Sequence, residues 1–258
     1  MAYSVINGVL PSSTTGGGGA TSWFSSSQAL SAHKTNIVIV RSYDVIGTRG
    51  DVASITDTAG NTYVRLGPVN TDPVSDAGRN EMWAAFDTIE HASNVIEVHF
   101  SVAVSHGRAI IAQYDGIGAY DGGYGFNLSD GGTTHSSASI TTAADGALLV
   151  SAAFTYTGPT STYGSVAPAV VQISGGGNAI IDRVVGGGAG LYNSQFSTTD
   201  DCQKAIITRS FSPEEAGDPT GHVKAYSGTI WVPKPVKVWN GSAWVTKPLK
   251  RWNGAAWV

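Results

Sequence analysis

The chain has one cysteine, Cys202, so no disulfide can form within it and the fold rests on its packed core alone. No motif flanks Cys202, which is expected as a small buried apolar residue rather than a nucleophile. Charge is scarce, at 13% of residues against about 25% in an ordinary soluble domain. The longest apolar stretches, 147–154 and 109–112, fall far short of the roughly 20 residues that a membrane-spanning helix needs, so no membrane insertion is expected. Met1-Ala2-Tyr3-Ser4-Val5 puts no basic segment ahead of an apolar run. A signal peptide is therefore not expected, and synthesis in a cytoplasm is. Leu-rich periodic stretches and amphipathic helical spacing are also missing, which excludes a helix bundle and a coiled coil.

What the chain has in abundance is Gly, Ser and Thr: 33, 28 and 24 residues. With 41% hydrophobic residues, this composition describes a real core built from short strands and many turns. Asn36–Tyr43 is a continuous β-branched run suited to a strand buried on both faces or in a sandwich core, and 95–102 alternates strictly, as a strand with one wet face does. Residues 52–56 and 62–66 flank Asp57-Thr-Ala-Gly-Asn61 and are expected as a hairpin. Further runs at 80–87, 108–114, 146–155, 169–173, 179–185, 204–210 and 222–230 alternate with Gly-rich connections at 115–125, 129–132, 174–177 and 186–190. About ten to twelve such strands predict an all-β fold, an antiparallel β-sandwich of jelly-roll type. No repeat of about 40 residues recurs, which disfavours a propeller. The expected organisation is an N-terminal arm and Gly-rich linker over 1–20, a sandwich body over 21–232 and a C-terminal extension over 233–258.

Residues able to do chemistry are dispersed. The six histidines, His33, His91, His99, His106, His135 and His222, form no metal-binding or catalytic pair in sequence, and four of them (33, 91, 106, 135) sit in turn-like contexts where solvated histidine is ordinary. Asp115–Gly125 has the Gly and Asp content of a calcium loop but neither an EF-hand pattern nor a repeated nonapeptide, and reads as a Gly-Tyr loop between strands. Nucleophile elbows, phosphate loops and paired-carboxylate signatures are missing. Arg49-Gly50-Asp51 spells the tripeptide that integrins read, here as a turn entering a strand, and Glu214-Glu215 is expected to face water. No catalytic residue, metal or cofactor is expected.

The net charge of −4 is unevenly spread. Residues 233–258 carry Lys234, Lys237, Lys247, Lys250 and Arg251 and no acid, while the other 232 residues carry ten basic and nineteen acidic groups. An acidic body is a poor nucleic-acid binder; a basic, Trp-rich tail fits an acidic surface, a glycan or another subunit. That tail is a tandem repeat of period 13: Lys234-Pro-Val-Lys-Val-Trp-Asn-Gly-Ser-Ala-Trp-Val is followed by Lys247-Pro-Leu-Lys-Arg-Trp-Asn-Gly-Ala-Ala-Trp-Val258, with nine of twelve aligned positions identical. In each unit Asn-Gly turns between two short aromatic strands, so two small β-hairpins are expected, with Trp239 packing across to Trp244 and Trp252 to Trp257. Isolated hairpins of this size are marginal in water, so the tail is expected to dock on something. Trp239, Trp244, Trp252, Trp257, Lys237, Lys250 and Arg251 are the candidate contact residues, for subunit docking or for stacking on a sugar ring.

The tandem Val-Lys-Val-Trp-Asn-Gly-Ser-Ala-Trp-Val and Leu-Lys-Arg-Trp-Asn-Gly-Ala-Ala-Trp-Val resembles the ending of many minor tail proteins of long-tailed phages of actinobacteria. Ile55–Gly67, Glu81–Phe86, Val98–Ser101 and Ile110–Gly116 are similar to a β-sandwich module of phage and bacterial surface proteins. The resemblance covers most of 36–116 and 234–258, and supplies no catalytic residues. It implies a virion tail component near the tip, made in the host cytoplasm, arranged as a trimer or hexamer about the tail axis, with other tail proteins as partners and a role in host attachment. A carbohydrate-binding receptor module reading the host envelope and a capsid decoration protein are the alternatives.

Overall fold

Strands are the only regular elements of the computed structural model, which describes residues 4–9, 20–43, 50–71, 78–104, 106–129, 131–143, 145–155, 162–175, 178–201, 203–214, 222–226, 231–235 and 237–246. At 4–9, 43, 106–107, 175, 222–226, 231–235 and 246 the description is of the backbone alone. By compactness the chain divides into Met1–Pro213 and Glu214–Val258.

The larger unit begins with β1 (Ser4–Val9), β2 (Ala20–Phe24), β3 (Gln28–Leu30), β4 (Thr35–Tyr43), β5 (Val52–Asp57), β6 (Val64–Arg65), β7 (Asn70–Thr71), β8 (Arg79–Ala85), β9 (His91–Asn94), β10 (Ile96–Val104) and β11 (His106–Asp115). They form an antiparallel sheet in the order β1-β11-β4-β8-β6, with β7 also on β8, a second sheet β2-β10-β5, and the pair β3-β9. Next come β12 (Ile117–Ser129), β13 (Thr134–Ser136), β14 (Ile140–Thr142), β15 (Leu148–Thr155), β16 (Tyr163–Ser165), β17 (Val170–Gly175), β18 (Asn178–Val184), β19 (Gly190–Tyr192), β20 (Gln195–Thr198) and β21 (Lys204–Pro213). Their sheets run β12-β21-β15-β18-β17, β13-β20-β16 and β14-β19. Strand for strand this is the first path repeated: β12 stands for β1, β13 for β2, β15 for β4, β21 for β11. The body is thus two tandem sandwiches, each wound in the wrapped order of a jelly roll.

The two large sheets pack face to face. Ile37, Ile39, Met82, Ile110 and Tyr114 of the first meet Leu148, Val150, Phe154, Ile180, Ile207 and Phe211 of the second in one shared core. On its other face the first sheet carries Val38, Val40, Trp83 and Ile111 against Trp23, Ile55, Ile96 and Val98 of the β2-β10-β5 sheet. The second sheet likewise packs Ala153, Ile181 and Ile206 against Tyr163 and Phe196. Four layers result, and the two middle ones are covered on both sides. That is why β8 and β15 are buried at every position, and why 36–43 carries no polar alternation. Across the middle, β11 packs on β18 while β21 packs on β8, the reciprocal pattern of an isologous two-fold contact.

Each crossing holds a polar tie. The Tyr114 hydroxyl donates to Asp182 Oδ1 at 2.8 Å, both groups lying inside the shared core. Burial pushes the Asp182 carboxyl up to about 8 and the phenol well above its ordinary value. Arg209, with no exposed surface, donates to the carbonyls of Leu66, Pro68 (3.1 Å), Thr208 (2.8 Å) and Gly125 (3.5 Å). Between its two cross-lobe acceptors lies Gly67, whose φ of +74° favours glycine; a Cβ there would stand 3.1 Å from the Tyr120 hydroxyl and 3.3 Å from Arg209 Nε.

Residues 4–9, the apolar start that could be a strand or a docked arm, are a strand of the body, pairing Ser4 with Asp115 and Val9 with Ile111. Three expectations change. β5 and β6 are not a hairpin: β5 pairs with β10 and β6 with β8, so Asp57–Asn61 is a corner between layers. Asp57 holds that corner by accepting from Asn61 N and Nδ2, the Tyr63 hydroxyl and Asn94 Nδ2. Most of the supposed Gly-Tyr loop lies in β12, a strand with bulges between Ile117 and Ala119 and between Tyr120 and Tyr124. Finally, the compact body ends at Pro213, and the run beginning at His222 lies in the smaller unit.

The smaller unit contains two antiparallel hairpins, β22 (His222–Tyr226) with β23 (Trp231–Pro235), and β24 (Lys237–Trp239) with β25 (Trp244–Thr246). The second repeat unit, with Lys250, Arg251, Trp252 and Trp257, lies outside the described residues, as does Cys202.

Candidate interaction surface

The first repeat unit folds through its own side chains. Asn240 N donates to Ala243 O, and Asn240 Oδ1 accepts from Ser242 N, Ser242 Oγ and Ala243 N at 2.8–3.0 Å. Gly241 follows at φ +101°, a conformation that side-chain-bearing residues rarely adopt. This loop brings Lys237 opposite Thr246, Val238 opposite Val245 and Trp239 opposite Trp244. The two indoles pack across the hairpin with centroids 5.8 Å apart and planes at 60°.

Neither indole is covered. Trp239 is 52% exposed and Trp244 65%, while Val238 and Lys237 are exposed beside them. Two large aromatics packed on each other and open to solvent, next to a lysine, form a surface suited to stacking contacts or to desolvation by a partner.

In the body the titratable groups are turned to structural use. Asp51 accepts from Arg79 Nε at 2.7 Å, which engages the carboxylate of the Arg-Gly-Asp triplet; Arg49 lies outside the described residues. Glu81 is buried, accepting from Val52 N at 2.6 Å and Trp83 Nε1 at 3.1 Å, and burial raises its carboxyl. Asp121 accepts from Gly123 N, Ala143 N and the Ser210 hydroxyl, so it fastens a bulge. Glu214 faces solvent.

His135 departs from the expectation of a solvated turn residue. It lies in β13, is buried, and stacks on Phe196 with centroids 5.2 Å apart. Thr198 Oγ1 donates to Asp200 O, so it accepts from His135 Nε2–H at 2.9 Å, which leaves Nδ1 to accept from the Ser129 hydroxyl at 2.7 Å. Burial first and Lys204 second hold the imidazole below its ordinary value. A base activating a serine must take up charge, and this one is placed where charge is disfavoured. The chain of hydroxyl, imidazole and hydroxyl ties β12, β13 and β20 together. His91 and His106 stand at strand starts rather than in turns. Among the described residues no group of three His, Cys, Asp or Glu side chains converges to hold a metal ion.

No protein family, curated protein or solved structure matches the chain.

Proposed function

We propose that this chain is a non-enzymatic virion structural protein, a minor tail or tail-tip component of a long-tailed phage, made in the host cytoplasm and acting in tail assembly and host attachment. The observation that carries this reading is the Trp239–Trp244 hairpin: two large indoles packed on each other and open to solvent, in a repeated basic unit that follows a body with four packed cores of its own. The likeness of the tandem repeat to the endings of phage minor tail proteins supports the same assignment. Labelling the chain with an antibody in purified particles and imaging them tests it. Density at the tail tip is the expected result; a chain missing from particles, or spread over the capsid surface, overturns it.

The free face of Trp244 favours a second reading, a module that stacks on host-envelope sugars. It requires that purified chain bind host envelope and that Trp244→Ala abolish binding while particles still assemble.

A further inference from the structure

We infer that the C-terminal unit docks, through Trp239, Trp244 and its lysines, on the acidic body of a second copy of this chain. Charge points to that occupant. Residues 1–213 hold nine basic and sixteen acidic side chains, and the eight cations among the described residues are turned inward or already engaged. Arg41, Arg79, Lys204 and Arg209 are buried. Lys34 lies 2.7 Å from Asp115, Arg65 faces Glu81, Arg108 donates to Asn178, and Arg183 donates to Asn193 O and lies over the Tyr192 ring. Of the acids, Glu81 and Asp182 are buried, while Glu90, Asp145 and Asp201 stand in solvent. The face that the body offers to water is therefore more negative than its residue count. Residues 214–258 reverse the balance with six basic and three acidic groups.

The apolar half of the complementarity is the indole pair. Covering Trp239 and Trp244 removes aromatic area from water at about 25 cal/mol per Å², Lys237 stands beside them, and the basic charge of the unit steers the approach. Tail on body is a heterologous contact, in which each copy gives one surface and receives on another. Such contacts close into rings when the rotation between copies allows it. This docking rests on the reading above that the C-terminal unit is the assembly element.

The test uses the full chain in sedimentation velocity, at salt from about 0.05 M to about 0.5 M. Concentration-dependent association that weakens with salt is expected, with Trp239→Ala/Trp244→Ala raising the dissociation constant about tenfold or more. Lys237→Glu is expected to weaken association without disturbing the hairpin loop. Carbodiimide coupling in a mixture of isotopically light and heavy chains should then join Lys237 of one copy to Asp or Glu of the other's 1–213. A monomer at every concentration overturns the docking, and so does association indifferent to salt and to the tryptophans, or coupling confined within single chains. A monomeric chain that still enters particles refutes the docking and leaves the tail assignment standing; an oligomer missing from particles does the reverse.

Discussion

His33 and Asp87 are bound to each other, Nδ1 to Oδ1 at 2.6 Å, and among the described residues they are the two other than glycine with positive φ, 55° and 54°. Two tight turns are laced face to face there: His33 N donates to Thr88 O, Thr88 N to Lys34 O, and the Thr88 hydroxyl to Ser31 O. Both side chains are largely exposed, so their mutual attraction is screened and the backbone carries the larger cost. Asp87→Asn, which tolerates the left-handed region, should change stability by less than about 1 kcal/mol. Asp87→Val should cost about 1–2 kcal/mol, because a β-branched side chain clashes at that φ. Urea denaturation of the two variants checks the contrast; equal midpoints would show that the backbone is not what matters.

Arg209→Leu should destabilise the body by about 1–3 kcal/mol, since it strips the carbonyl of buried Leu66 of its side-chain donor and removes the guanidinium's bond to the Pro68 carbonyl. Arg209→Lys should not restore it, because one ammonium cannot span the acceptors that a planar guanidinium reaches. Thermal or denaturant unfolding decides, and a fully stable lysine variant would contradict the bridging role.

The burial of Asp182, only partly offset by the hydrogen bond from Tyr114, makes stability fall as pH rises. Asp182 is at about 8 when folded, against an ordinary 3.8, so the fold prefers its protonated form. That preference stabilises fully below pH ~3.8 and is lost progressively as pH climbs towards 8, at up to about 1.4 kcal/mol per pH unit. Asp182→Asn keeps an acceptor for the Tyr114 hydroxyl but has no proton to lose. Its stability relative to wild type should improve between pH 4 and 8; parallel profiles in denaturant titrations would rule out a buried carboxyl with a raised value.

The two sandwiches should not survive separation. Chains ending at 116 or beginning at 117 would each expose one half of the shared core, Ile37, Ile39 and Ile110 on one side or Leu148, Phe154 and Ile207 on the other. A single cooperative unfolding transition is expected for 1–213, with insoluble or molten halves that recover only when produced together. Two resolved calorimetric transitions would show the lobes to be independent.

How far these features could be read in the residues varied with how local their cause is. The doubly buried run, found over 36–42, the alternation at 95–102, found as far as Phe100 and lost at exposed Val102, and the Asn240-Gly241 hairpin are each written in neighbouring side chains. The Asp57–Asn61 segment carries turn chemistry that serves a hairpin or a corner equally, and only the distant partners β8 and β10 decide between them. The duplication left no usable trace. Ala109-Ile110-Ile111 and Ala205-Ile206-Ile207 are the same triplet in corresponding strands, yet Ile110 faces the shared core while Ile206 faces away from it. What repeats is the path of the chain, not the residues. The buried histidine escaped for a similar reason: its partners Ser129 and Thr198 come from two other strands.

The winding of the strands also sets an order in time. β1 has no partner until β11 is made, and the shared core lacks a wall until β21 arrives. Pairings so distant along the chain fold slowly and leave strand edges open while they wait. Synthesis from the N-terminus delivers the exposed Trp239 and Trp244 after the strands that close the body, so the solvent-open indoles emerge only when the sheets have their partners.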